Sequence, residues 1–191
     1  MFSIQFRKIL ASRLMRPLAL LAIAAAAAPG TALANSPWAT VGSTGIVDES
    51  CYMAIQMDNS EARLIPGLLF PCRVRYQVTD TYGTPAGTVA NQALFANIRD
   101  TGAGNVVVRL LRYPNNGSAP AGIPVGTAIN SDAGGTAIAA NFKQFRSPAA
   151  CVGAFNLDFM NNTYWIEVDM TGGVPPVLPG LAISWLQIRN C

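Results

Sequence analysis

Glu167 and Asp169 are the two carboxylates that the sequence places best to act together. They stand two residues apart in the run Tyr164-Trp165-Ile166-Glu167-Val168-Asp169-Met170. On an extended strand, side chains two apart project to the same face, roughly 6–7 Å from one another. That spacing suits the carboxylate pair of a glycosidase, or a calcium ligand set if Asp158 faces them. Alternation turns both toward solvent, opposite Tyr164, Ile166, Val168 and Met170, so a solvated polar face is the plainer reading. Trp165 shares their side, where an exposed indole can stack on a sugar ring.

Other chemistry is thinly supported. The chain contains no histidine, which removes Ser–His–Asp and Cys–His nucleophile systems, histidine-ligated metals and histidine pH switches. It has no G-x-S-x-G, S-x-x-K, phosphate loop or dinucleotide fingerprint. Arg73, Arg75, Arg109 and Arg112 sit on strand candidates and are expected to pair with carboxylates. No catalytic residue, metal or cofactor is assigned, and the expectation is a protein that is not an enzyme.

Cys51, Cys72, Cys151 and Cys191 are separated by 21, 79 and 40 residues. Zinc ribbons need closely spaced cysteine pairs, so four cysteines at these intervals read as two disulfides. Three connectivities are possible. The favoured one joins Cys51 to Cys72 and Cys151 to Cys191, closing one local loop and fastening the last residue to the body.

The elements that carry these residues read as strands. Arg73–Thr79 alternates strictly, with Val74, Tyr76 and Val78 inward. Cys51–Met57 places Cys51, Met53, Ile55 and Met57 on one face. Cys151–Phe159 and Tyr164–Met170 flank Asn161-Asn162, a pair suited to a tight hairpin turn. Further candidates are Ala39–Val47, Gln92–Ile98, Asn105–Tyr113, Gly135–Phe142 and Leu181–Arg189. Pro114–Gly134 reads as a hairpin with its tip at Gly122-Ile123-Pro124. Short strands punctuated by glycine and proline define the expected fold class: all-β, a single antiparallel β-sandwich or jelly-roll-like domain.

Two apolar segments are broken by proline: Leu64–Pro71, containing Leu68, Leu69 and Phe70, and Val174–Pro179, containing Val174, Val177 and Leu178. Loops normally face water, so these segments either seal the ends of the sandwich or bind a partner.

Residues 1–34 have the layout of a secretory signal peptide. Arg7, Lys8, Arg13 and Arg16 precede the apolar stretch Leu18–Ala28, Pro29-Gly30 breaks it, and Ala32-Leu33-Ala34 supplies small residues for cleavage after Ala34. The apolar stretch is too short for a membrane span. The whole chain carries a formal charge of +3, with 13 basic and 10 acidic residues. Cleavage takes four of the basic residues and leaves nine against ten, a charge of −1. Nucleic-acid binding thereby loses its electrostatic basis. Residues 35–191 are expected to form one secreted or periplasmic domain, with no membrane insertion after cleavage.

The function expected is contact with another protein or self-association, as a surface or assembly component. Low charge, 12% of residues, weakens the repulsion that keeps surfaces apart. The alternative is a carbohydrate-binding module using Trp165 or Trp38. A carboxylate glycosidase is the third reading.

Overall fold

The computed structural model describes residues 37–191, apart from 84–86, 101, 103, 120, 134–140 and 174–178. The expected signal peptide, most of the Gly135–Phe142 strand candidate, and Val174, Val177 and Leu178 lie outside the described residues.

Twelve strands follow in chain order: β1 (Trp38–Val41), β2 (Ile46–Val47), β3 (Ile55–Asp58), β4 (Glu61–Leu64), β5 (Pro71–Val78), β6 (Thr88–Arg99), β7 (Asn105–Pro114), β8 (Ile123–Asn130), β9 (Lys143–Ser147), β10 (Phe155–Asp158), β11 (Asn162–Thr171) and β12 (Ala182–Asn190). They form two antiparallel sheets. The larger runs β10-β6-β12-β4-β3, with β1 also on β12 and β9 also on β6; the smaller runs β2-β5-β11-β7-β8. The fold is an all-β sandwich. Among the described residues, no helix is long and apolar enough to cross a membrane.

Alternation explains why the sheets stack. β11 pairs along its whole length with β7 and over most of it with β5. Its inward residues Tyr164, Ile166, Val168 and Met170 are fully buried. Val74, Tyr76 and Val78 of β5 and Val106, Val108 and Leu110 of β7 flank them in the same core. Leu94, Ile98, Ile183, Leu186 and Ile188 approach from the larger sheet. Burying each such side chain contributes about 1.5–3 kcal/mol.

Several local expectations change. Ala39–Val47 is not one strand: the chain leaves the larger sheet after β1, makes a short 3₁₀ turn at Gly42–Thr44 and enters the smaller sheet as β2. Gly42 is required at that crossing, because a Cβ would collide with the Ile183 carbonyl. The Tyr76 hydroxyl donates to the Gly42 carbonyl at 2.7 Å and fixes the crossing.

Cys51–Met57 begins as a 3₁₀ turn and becomes strand only at Ile55, so Met53 faces solvent at 90% exposure. β10 and β11 do not form a hairpin. β10 pairs with β6 in one sheet, β11 lies in the other, and Asn161-Asn162 links the two layers. The β7–β8 hairpin does form, but Ile123 and Pro124 belong to its returning strand rather than its tip.

Both favoured cysteine pairs stand at disulfide distance, with Cα–Cα separations of 5.4 Å for Cys51–Cys72 and 5.5 Å for Cys151–Cys191. The second ties the C-terminal residue to the segment before β10.

Candidate functional site

The outward residues of β5, β11 and β7 form the exposed face of the smaller sheet. Register aligns them in rows: Arg75, Glu167 and Arg109; Arg73, Asp169 and Val107; Gln77, Trp165 and Leu111. Arg75 Nε donates to Glu167 Oε1 at 2.9 Å, and Arg75 also reaches Asp48 at 3.1 Å. Arg73 Nε donates to Asp169 Oδ1 at 2.7 Å and lies 3.5 Å from Glu167. Arg109 closes on Asp169 from the far side. Asp48, Arg75, Glu167, Arg73, Asp169 and Arg109 thus form one continuous network of three cations and three anions.

This network decides the chemistry open to the carboxylates. A glycosidase acid must hold its proton near neutral pH, which requires a raised pKa. Burial pushes the Asp169 carboxyl upward, but hydrogen bonds from Arg73 and Arg109, with their charges, bring it below its ordinary value. Glu167 is held between two guanidinium groups. The arrangement stabilises carboxylate anions and orients arginines.

Asp158 does not join Glu167 and Asp169, because β10 lies in the other sheet. Its carboxylate instead accepts hydrogen bonds from Asn161 and Met160, and those from Asn161 lower its pKa most.

Beside the network lies a cleft of about 350 Å³, lined by Ile46, Arg75, Tyr113 and Trp165. Trp165 is half-buried and faces outward, opposite Gln77 and Leu111. Tyr113 comes from the next residue pair along β7, and Ile46 arrives from β2 opposite Arg75. Gly122 lets the returning hairpin pass close over the rings and side chains of Tyr113 and Leu111. The cleft therefore combines an indole, a phenol and an oriented guanidinium. Sequence reading reaches Trp165 through its alternation; Ile46 and Tyr113 carry no local signal, since strand pairing alone brings them there.

Trp38, the other candidate platform, is in the core and cannot stack a ligand. A second outward tryptophan, Trp185, lines a cleft of about 360 Å³ with Ala39, Thr40, Val41, Leu186 and Gln187. On the same sheet the Arg189 guanidinium covers the Phe95 ring at 4.1 Å. The Trp185 cleft lacks a charged group among its lining residues, whereas the Trp165 cleft has one.

The first apolar loop divides its residues. Leu68 packs against the core, while Leu69 and Phe70 are 56% and 48% exposed. Tyr52 and Met53, next to Cys51, are exposed as well. The Cys51–Cys72 pair ties this stretch to the end of the loop.

No family model matches the chain, and no curated protein does. Among solved structures, the C-terminal CBM6 of LamC, a marine laminarinase from Zobellia galactanivorans, aligns with a TM-score of 0.43 at 9% identity, covering 81% of this chain and 100% of that one. A likeness that distant transfers neither a ligand nor a residue role.

Proposed function

We propose that this chain is an exported, non-catalytic carbohydrate-binding protein, and that the Trp165 cleft receives a sugar ring. The observation that carries the reading is the outward, half-buried Trp165 indole beside Tyr113 and the oriented Arg75 guanidinium. A pyranose presents C–H groups on its faces and hydroxyls around its edge. Its face stacks on an indole, and its edge takes hydrogen bonds from fixed donors. Arg75 is held by Glu167 and Asp48 before any ligand arrives, so little side-chain freedom is lost on binding.

Export follows from the leader reading: residues 1–34 are removed after Ala34, and residues 35–191 act outside the cytoplasm. The two cysteine pairs support that compartment. Titration of a polysaccharide panel against tryptophan fluorescence tests the proposal. Quenching or a blue shift with at least one glycan, lost in Trp165→Ala, is the expected result. An unresponsive spectrum across neutral and charged glycans contradicts it.

A second reading rests on Leu69, Phe70, Tyr52 and Met53. Exposed apolar side chains on one stapled stretch are a surface for protein contact or self-association. Val174, Val177 and Leu178 remain part of that proposal.

A further inference from the structure

The charges beside the Trp165 cleft balance, and that balance bears on which sugars fit there. A guanidinium has five N–H donors. Arg75 Nε donates to Glu167 Oε1 at 2.9 Å, and Nη1 lies 3.1 Å from Asp48 Oδ1. Nη2 has no protein acceptor among the described residues. Its two N–H groups remain for a ligand in the cleft that Arg75 lines.

Arg75 therefore donates as a cation whose charge is already matched. Glu167 also lies 3.5 Å from Arg73, and Asp169 is shared by Arg73 and Arg109. With Asp48, the network of three cations and three anions carries no net charge. Ile46, Tyr113 and Trp165 line the cleft with Arg75, and none of them is a cation. Arg112, next to Tyr113, pairs with Tyr164 on the row of opposite parity, so alternation turns it away. The other described cations, Arg63, Arg99, Lys143, Arg146 and Arg189, stand on strands of the larger sheet.

A carboxylate entering this cleft would meet one cation at contact and two anions just behind it, so attraction and repulsion largely cancel. It would also give up water against Ile46 and the indole with no net charge to replace it. A hydroxyl gives up less, and it accepts from Nη2 without adding a fourth anion.

We propose, resting on the reading that the Trp165 cleft holds a sugar, that it selects uncharged pyranoses and discriminates against uronic acids. Asp48 and Glu167 set the preference by cancelling the charge of Arg75 while leaving Nη2 able to donate.

Calorimetric titration of the full chain with matched oligosaccharides tests the proposal. Each pair shares linkage and length: gluco- with glucurono-, galacto- with galacturono-, and manno- with mannurono-oligosaccharides. In the pair whose binding Trp165→Ala abolishes, the neutral member is expected to bind at least tenfold more tightly. Its affinity should change less than twofold between about 0.01 and 0.15 M ionic strength. Asp48→Asn removes one compensating anion and is expected to narrow the ratio at least threefold, chiefly through tighter uronate binding. Equal or tighter binding of the uronate by the native chain overturns the selectivity and leaves the sugar reading standing. An unchanged ratio in Asp48→Asn overturns it as well. Binding of neither member of any pair overturns the sugar reading itself, and the selectivity falls with it.

Discussion

Arg75 and Glu167 face one another across the β5–β11 register, with Nε donating to Oε1 at 2.9 Å. That pair joins the fold to the proposed site, because Arg75 also lines the Trp165 cleft. Glu167 therefore orients the guanidinium that the proposed sugar site uses, as well as balancing its charge.

Glu167→Ala is expected to cost about 1–3 kcal/mol, since hydrogen bonds to charged partners are lost and Arg73 and Arg75 are left poorly neutralised. Chemical denaturation measures it. Glu167→Gln keeps the shape and is expected to lie between the two. Retention of sugar binding in both variants would detach Arg75 orientation from recognition.

Acid should weaken the fold through Asp169. Its carboxyl lies lower in the folded chain than its ordinary value, so it stabilises the fold above about pH 4 and loses that contribution as pH falls through the folded value. Urea midpoints between pH 2 and 7 should decline at the acid end, and Asp169→Asn should flatten the decline. Tyr82 acts at the opposite limit. Burial raises its hydroxyl to about 12, so its contribution is complete below about pH 10 and is lost as pH rises toward 12.

The cysteine pairs close loops spanning 21 and 40 residues. In the chain-entropy picture, loops of these sizes correspond to about 3 and 4 kcal/mol. Cys151→Ser with Cys191→Ser should therefore destabilise more than Cys51→Ser with Cys72→Ser, read by urea denaturation under oxidising conditions.

The apolar loop gives a prediction that separates packing from contact. Leu69→Asp and Phe70→Asp alter half-exposed positions, so stability should change by about 0.5 kcal/mol or less. Leu68 packs on the core, and Leu68→Asp should unfold the chain measurably. If this end mediates self-association, light scattering should show concentration-dependent growth for the native chain and none for Phe70→Asp.

Strict alternation made β5 and β11 legible, because a half-buried strand with a period of two admits one inward set. The same period sets Trp165, Glu167 and Asp169 together on the outer face. The region from Cys51 to Leu64 was harder to read. Its apolar residues also alternate, but the 3₁₀ turn at Glu49–Cys51 breaks the period and exposes Met53, while short β4 carries the charged residues Glu61 and Arg63. Asn161-Asn162 resembles a hairpin turn because local chemistry is the same whether the chain returns to its own sheet or crosses to the other.

The most direct test of the central claim is calorimetric titration of one responsive polysaccharide into the native chain, Trp165→Ala and Trp185→Ala. The Trp165 cleft predicts saturable binding by the native chain, at least a tenfold loss in Trp165→Ala, equivalent to about 1.4 kcal/mol, and near-native affinity in Trp185→Ala. Undiminished binding by Trp165→Ala, or a loss confined to Trp185→Ala, would contradict it.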